Sequence, residues 1–146
     1  MEAFRVAILD ASFAWERTPW RHRAAVRGAG VDCGQFLRVV FRDAGLVPDF
    51  DTGAYPPDWH LNRSEERFIG IVRQFLDPIA DAPPLPGDVA VWRFGRCFAH
   101  GAIVIAWPSI IHACRRARSV VRDDGTAGQF VGRDVLFFSI AGRVSA

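Results

Sequence analysis

The apolar positions in the first half of the chain recur at the spacing of amphipathic helices. One stripe runs from Phe4 to Trp15 and stops before Pro19, which predicts a first helix. A second stripe, from Cys33 to Ala44, has apolar residues at i, i+3, i+4, i+7, i+8 and i+11, which is one continuous face of a helix. The first half of the chain is therefore predicted to be mainly helical.

The second helix carries its own start and stop signals. Asp32 is suited to the N-cap, because its carboxylate can accept hydrogen bonds from the exposed N–H groups of the first turn. Gly45 followed by Pro48 is a typical end signal. This capping places Cys33 in the first turn of a buried helix, where a thiol is either core filling or a nucleophile.

A third helix is predicted after an aromatic-rich loop. Its signals are Ser64 as the cap, an apolar stripe over Phe68–Leu76 and an end at Pro78. The preceding stretch "VPDFDTGAYPPDWHLN", residues 47–62, combines turn-forming residues with aromatic ones. A long loop of this composition is more typical of the wall or lid of a site than of a tether.

The period changes to two after the connector "DAPPLPGD" at residues 81–88. The segments "DVAVWRF", "HGAIVIAW", "SIIHACR", "SVVR" and "DVLFFSI" are predicted as short strands of an antiparallel meander. Helices followed by strands indicate an α+β fold with the N-terminal helices packed on a C-terminal sheet. The length fits one domain that spans residues 1–146.

Composition and charge exclude several classes of protein. Half of the residues are apolar, which favours a packed globular protein over a disordered one. A net charge of +2 and one short basic run, "RRARS" at residues 115–119, do not indicate a nucleic-acid partner. No apolar run reaches the ~18 residues of a membrane span, and no export signal is recognised at the N-terminus. The expected place of synthesis is the cytoplasm.

The three cysteines are an odd number and lack the C-x-x-C spacing, so a disulfide framework is not expected and at least one thiol should be free. A nucleophilic thiol needs an imidazole to take its proton, and His100 and His112 lie on adjacent predicted antiparallel strands. The N-terminus of a helix and a nearby imidazole are expected to lower the pKa of the Cys33 thiol from about 8.5 into the range of roughly 3.5 to 7.5. Whether the two imidazoles share a face depends on a strand register that the sequence leaves open.

Three segments together resemble the motifs of the NlpC-type cell-wall peptidases. They are "TPWRHRAAVRGAGVDCGQF", "PGDVAVWRFGRCFAHGAIVI" and "IIHA", and the resemblance covers about residues 18 to 140. These peptidases are papain-like cysteine hydrolases, and the long loop containing "YPPDW" is similar to their phage-tail-associated branch. The resemblance implies a papain-like fold in which Cys33 is the nucleophile, His100 the general base and His112 the residue that orients His100.

The resemblance also implies an activity. The expected reaction is hydrolysis of amide bonds in the peptide stems of peptidoglycan, commonly after a D-glutamyl residue, through a thioester and without a cofactor. Trp20, Tyr55 and Trp59 are the candidate residues of the substrate groove. Partners would be the peptidoglycan and phage tail proteins, and the protein would reach the cell wall in a tail or by delivery through a partner.

Two features depart from the family pattern. Trp20 follows Pro19 where the family often has a tyrosine, and an indole can donate a hydrogen bond but cannot ionise. Gly34 and Gln35 replace the usual serine and glycine after the cysteine. The oxyanion donors beyond the backbone N–H of Cys33 and the substrate preference are left open.

Other functions compete with hydrolysis. Cys97, His100, His112 and Cys114 offer two thiolates and two imidazoles, a donor set that zinc accepts in tetrahedral geometry. The spacing of these residues does not match common zinc motifs, and a strand would point Cys97 and His100 to opposite faces. A tail-assembly or interaction protein that keeps the fold but has little activity is the second alternative.

Overall fold

The computed structural model describes residues 1–48 and 67–144. Its helices are α1 (Ala3–Ala14), α2 (Cys33–Asp43), α3 (Arg67–Arg73), a 3-10 turn (Gly128–Phe130) and α4 (Ala141–Val144). The predicted first and second helices are confirmed within one or two residues of their expected bounds. None of the helices in these ranges is long and apolar enough to cross a membrane.

The third helix ends earlier than the apolar stripe predicts. It ends at Arg73, and the predicted stop at Pro78 lies instead in a strand. The guanidinium of Arg143 donates hydrogen bonds to the carbonyl oxygens of Arg73, Gln74 and Leu76, at 2.7 to 3.3 Å. This side chain satisfies carbonyls at the end of the helix, so the chain can leave the helical path there. The predicted cap Ser64 lies outside the described residues.

The strands form two sheets in the described ranges. A two-stranded antiparallel sheet contains β1 (Ala25–Val26) and β2 (Gly30–Val31). The larger sheet has six strands, β3 (Asp77–Pro78), β4 (Val89–Phe94), β5 (Cys97–Ala106), β6 (Ser109–Cys114), β7 (Ser119–Asp124) and β8 (Val135–Ser139). Their order in the sheet is β3-β8-β4-β5-β6-β7. The predicted α+β arrangement is confirmed.

The predicted meander accounts for β4 to β7, whereas β8 returns to pair with β4. The outer edge of β7 is already occupied by the segment that follows α1. Arg17 N–H donates to Val120 O, Val120 N–H donates to Thr18 O, and Trp20 N–H donates to Arg118 O, at 2.8 to 2.9 Å. Because these contacts use the edge groups of β7, the last strand pairs at the opposite side of the meander.

The larger sheet buries both of its faces. One face packs against α1, α2 and α3 in the main core, which contains Phe36, Val40, Val91 and Ile103. The other face carries a smaller cluster that contains Trp92, Val104, Ile110 and Phe130. Alternate residues of β4 and β5 therefore point into different apolar clusters, which is why these strands are apolar almost throughout.

A buried ion pair joins α1 to the start of β4. Arg5 Nη1 donates to Asp88 Oδ1 at 2.8 Å, and Asp88 Oδ2 accepts from Leu85 N–H at 2.8 Å. Both charged side chains are nearly fully buried. Gly87 precedes the aspartate with a positive φ of 88° and packs against the backbone of Arg5. The "PGD" segment thus holds α1 against the sheet.

Replacing Arg5 by methionine is expected to lower the free energy of unfolding by about 3 kcal/mol, because it leaves the Asp88 carboxylate buried without its cation. Urea denaturation followed by circular dichroism measures this loss. Arg27 is exposed, so Arg27→Met is the matched control and should change stability by less than about 0.5 kcal/mol. Equal stability of the two variants would contradict a role of this pair in holding α1.

Candidate active site

Asp32 organises the start of α2, where it precedes the cysteine. Its Oδ1 accepts from Gln35 N–H at 3.0 Å, as predicted for an N-cap, and its Oδ2 accepts from Arg23 N–H at 2.6 Å. His22 Nδ1 lies 3.7 Å from Oδ2. One carboxylate therefore caps the helix and ties the preceding loop to it, which fixes the position of Cys33.

Cys33 is partly exposed at the first position of α2. Its Sγ lies 3.9 Å from the carbonyl oxygen of Ala99, the residue directly before His100 in β5. Cys33 and His100 both line one cleft of about 270 Å³. The structure therefore brings the predicted nucleophile and the predicted base, 67 residues apart in the sequence, to the same place.

The environment of Cys33 raises the pKa of its thiol well above the usual range. Burial is the main cause, and the adjacent Asp32 carboxylate adds to it. The backbone N–H groups of Cys33 and Gly34 act in the opposite direction but are outweighed. The expectation that the helix N-terminus would lower this pKa is wrong in sign, because desolvation disfavours the thiolate. Burial therefore favours the protonated thiol over the thiolate in the free protein.

The two histidines are in direct contact. His100 Nε2 lies 2.7 Å from His112 Nδ1, and the ring centroids are 5.0 Å apart. In the pairing of β5 with β6, Ile103 is opposite Ile111, so position 112 falls diagonal to His100 on the same face. The register therefore shows that the two imidazoles share one face of the sheet, which the sequence left open.

His112 also contacts a carboxylate on the next strand. Its Nε2 lies 3.0 Å from Asp123 Oδ2, on β7. Sequence reasoning did not single out Asp123. The alternation of residues along β7 can be recognised in the sequence, but it does not show which residue of β6 lies beside Asp123. The strand register, with Ile110 opposite Asp123, places Asp123 diagonal to His112. The described site therefore contains a row of three side chains, His100, His112 and Asp123, beside the cleft that Cys33 lines.

These contacts set the tautomers of both imidazoles. Burial lowers the pKa of His112, although Asp123 opposes this shift, so His112 is neutral near pH 7. A carboxylate only accepts, so His112 donates Nε2–H to Asp123, and its Nδ1 must accept from His100 Nε2–H. In neutral His100 the basic nitrogen is then Nδ1. Asp123 thereby determines which nitrogen of His100 can take a proton.

Aromatic rings surround the imidazole pair. The Phe130 ring centroid lies 5.9 Å from that of His100 and 5.4 Å from that of His112. Phe94 meets the His100 ring edge-on, with centroids 5.6 Å apart. His112 is fully buried. These rings and the burial of His112 limit the access of water to the contact between the two imidazoles, which strengthens that hydrogen bond.

The predicted groove residues are only partly described. Trp20 lines the cleft with Cys33 and His100, and its contact with a substrate stays a prediction. Tyr55 and Trp59 lie outside the described residues. A larger, shallow cleft of about 770 Å³ lies between α1 and α2, and its lining includes Trp15 but none of the described cysteines or histidines. The smaller cleft is therefore the one lined by the predicted nucleophile and the predicted base.

The four candidate zinc ligands do not form a metal site in the described part of the chain. No three His, Cys, Asp or Glu side chains in the described part of the chain are grouped so that they could hold a metal ion. Cys97 is buried in the main core. Cys114 Sγ accepts from Ala117 N–H and from Gln129 Nε2, each at 3.4 Å. The geometry gives the zinc hypothesis no support.

The structure places a cysteine at the start of a buried helix and packs it against an antiparallel sheet that carries two histidines, which is the arrangement that the motif resemblance implies. The particular form of it here is the NlpC/p60 fold. The NlpC/p60 domain of the peptidoglycan hydrolase SagA superposes with a TM-score of 0.61 over 90% of this chain and 96% of that one, at 20% identity.

Two further structures share this fold. The peptidoglycan hydrolase RipB from Mycobacterium tuberculosis matches at a TM-score of 0.60 and 15% identity, over 94% of this chain and 64% of that one. NlpC2 from Trichomonas vaginalis matches at 0.65 and 13% identity, over 93% of this chain and 45% of that one. No protein-family model and no curated protein sequence matches the chain. The fold expected from the motif resemblance is confirmed.

Proposed function

We propose that the protein is a cysteine hydrolase that cleaves amide bonds in the peptide stems of peptidoglycan. The observation that carries this proposal is the row of contacts from His100 through His112 to Asp123, at 2.7 and 3.0 Å, beside the cleft that contains Cys33. A thiol, a base and groups that orient the base are the parts that nucleophilic amide hydrolysis needs.

The first half of the reaction forms a thioester. His100 Nδ1 takes the proton of the Cys33 thiol as sulfur attacks the amide carbonyl carbon. This base is needed because burial keeps the pKa of the thiol high. The backbone N–H of Cys33 donates to the oxyanion of the tetrahedral intermediate. His100 then returns the proton to the amine, the C–N bond breaks, and the acyl group stays on sulfur.

The second half restores the enzyme. His100 Nδ1 takes a proton from water as the water oxygen attacks the thioester carbonyl carbon. The C–S bond breaks, the acyl group leaves as a carboxylic acid, and the thiolate regains the proton from His100. No oxidant, reductant or metal takes part in either half.

His112 and Asp123 act on His100 rather than on the substrate. His112 accepts from His100 Nε2–H and so holds the ring with Nδ1 as its basic nitrogen. When His100 gains a proton, the Asp123 carboxylate stabilises the positive charge through His112, as the aspartate of a Ser-His-Asp triad does. Asp123 is therefore a positioning residue.

Two lines of support point to peptidoglycan as the substrate. The motif resemblance is to cell-wall peptidases, and SagA and RipB, which share the fold, are described as peptidoglycan hydrolases. The association with a phage tail is a further part of the proposal and rests on the motif resemblance alone. Delivery to the cell wall from the cytoplasm belongs to the same part.

The test is product analysis on a defined substrate. Purified protein is incubated with purified peptidoglycan and with synthetic stem peptides, and new amino groups are counted while mass spectrometry identifies the products. Each cleavage should add one water, and hydroxylamine should divert the thioester to a hydroxamate. A folded protein that releases no amine from any stem peptide would instead support the low-activity tail or interaction protein.

A further inference from the structure

Exposed arginines from three separate segments of the chain surround the entrance of the cleft beside Cys33. One segment is the loop before α2, one is the turn between β6 and β7, and one leads into β8. Three of the arginines line the cleft itself, and the other two lie in the first two segments. This set, the arginine surface, consists of Arg23, Arg115, Arg116, Arg118 and Arg133.

Backbone and ring contacts hold the first two segments side by side. Trp20 N–H donates to Arg118 O at 2.8 Å, and the guanidinium carbon of Arg115 lies 5.3 Å from the centroid of the Trp20 ring. Arg23 N–H donates to Asp32 Oδ2 at 2.6 Å, at the start of α2. The basic turn is therefore fixed beside the loop that leads to the nucleophile.

Carboxylates do not neutralise the arginine surface. Within the described ranges, none of its five guanidiniums forms an ion pair with a carboxylate. Asp134, the acid next to Arg133, lies 3.8 Å from Arg93 Nη1 instead. The net charge of the whole chain is only +2, so the fold concentrates positive charge at the entrance of the cleft.

Two of these arginines adopt a backbone conformation that favours glycine. In the described part of the chain, the non-glycine residues with a positive φ are Arg17, Arg23 and Arg118, at 72°, 62° and 63°. This left-handed conformation strains a residue that has a Cβ, so glycine would be more stable at these positions. An exposed side chain gains little from packing, which indicates that Arg23 and Arg118 serve a contact outside the chain.

We infer that the arginine surface binds an anionic polymer of phosphodiester-linked repeats in the cell wall. A single exposed guanidinium contributes little because water and salt screen its charge, whereas a polymer contacts several of them at once. The planar donors of arginine also match the oxygens of a phosphate group. The bound polymer holds the cleft near the wall, and this location is the part of the inference that rests on the proposed function.

The aromatic rings of the cleft favour such a polymer over a nucleic acid. Single-stranded nucleic acids gain affinity by stacking their bases on exposed aromatic rings. The guanidinium carbon of Arg133 lies 3.9 Å from the centroid of the Phe94 ring, and Arg115 covers Trp20 in a similar way. Both rings therefore already have a guanidinium on one face. A polyol phosphate chain has no bases and needs no stacking surface.

The experiment titrates the wild-type protein with poly(glycerol phosphate) and measures the heat of binding. Affinity should fall about a hundredfold between about 50 and 200 mM salt, as expected for a ligand that releases counterions from several phosphates. Inorganic phosphate at an equal concentration of phosphate groups should not displace the polymer. Single-stranded DNA with the same number of phosphates should bind more weakly than the polymer.

Two double variants separate this surface from the general charge of the protein. Arg116→Gln/Arg118→Gln should lower the affinity for the polymer about tenfold and flatten its salt dependence. Arg27→Gln/Arg73→Gln removes the same charge from exposed arginines outside the surface and should change the affinity less than about twofold. Arg118→Gly relieves the strained turn, so it should unfold at a higher temperature than the wild type but bind the polymer less tightly.

Several outcomes would overturn the inference. They are the absence of binding, equal losses in the two double variants, displacement of the polymer by inorganic phosphate, and tighter binding of DNA than of the polymer. Binding is measured without turnover, so it is tested separately from the hydrolase. A protein that binds the polymer but cleaves no stem peptide disproves only the hydrolase, and one that cleaves stems without binding the polymer disproves only this surface.

Discussion

Replacing Cys33 by alanine is expected to lower the turnover of stem-peptide amides by about four orders of magnitude. The variant keeps the cleft, the N-cap and the imidazole pair but has no atom that can form the thioester. Because the substitution removes a single sulfur atom at the start of α2 and leaves the Asp32 N-cap in place, it should cost little stability. Initial rates of amine release from a synthetic stem peptide measure the effect.

A buried cysteine in the core is the matched control for this substitution. Cys97→Ala removes a thiol that is 3% exposed and packs in the main core, so it should keep turnover within a few-fold of wild type. Thermal unfolding of both variants separates loss of chemistry from loss of fold. Wild-type turnover in Cys33→Ala would rule out this residue as the nucleophile.

Replacing Asp123 by alanine is expected to lower kcat by about ten- to a hundredfold and to move the acid limb of the kcat/KM profile to lower pH. The carboxylate raises the pKa of His112 against the effect of burial. Without it the imidazole pair is harder to protonate, which moves the limb in this direction, and the tautomer of His100 is no longer imposed. A complete pH-rate profile measures both changes.

Asp124, the residue next to Asp123 in β7, provides a control for the loss of one negative charge from this strand. Asp124 accepts from the N–H and the hydroxyl of Thr126 within its own turn, so Asp124→Ala should leave the acid limb where it is in wild type. Asp123→Asn keeps an acceptor oxygen but removes the charge, and it should retain more kcat than Asp123→Ala while shifting the limb similarly. An unshifted limb in both Asp123 variants would show that this residue does not act through His112.

Much of the site could be predicted from the sequence, because it depends on interactions between residues that are close along the chain. The helical period and the Asp32 cap predicted that Cys33 begins a buried helix, and the structure has both features. The period-two segments placed His100 and His112 on adjacent strands, which is also observed. Caps and alternation depend on residues a few positions apart, so such features can be predicted without knowledge of the fold.

Strand register lies beyond this local information. Shifting one strand by a single residue would turn His112 to the other face of the sheet, and neither sequence segment specifies which alignment forms. The packing of both sheet faces selects the alignment that joins His100, His112 and Asp123. The same limit applies to β8, whose place was determined by the segment that covers the edge of β7.

The pKa of the Cys33 thiol also depended on the fold. The sequence places a cysteine at a predicted helix N-terminus with an imidazole expected nearby, and these two features predict a lowered pKa of the thiol. Assembly against β5 buried the sulfur and made desolvation the dominant influence, which reversed the sign. Helix starts and strand positions follow from neighbours along the chain, whereas the pairing of imidazoles, the partner of His112 and the state of the sulfur follow from groups that meet only when the chain is folded.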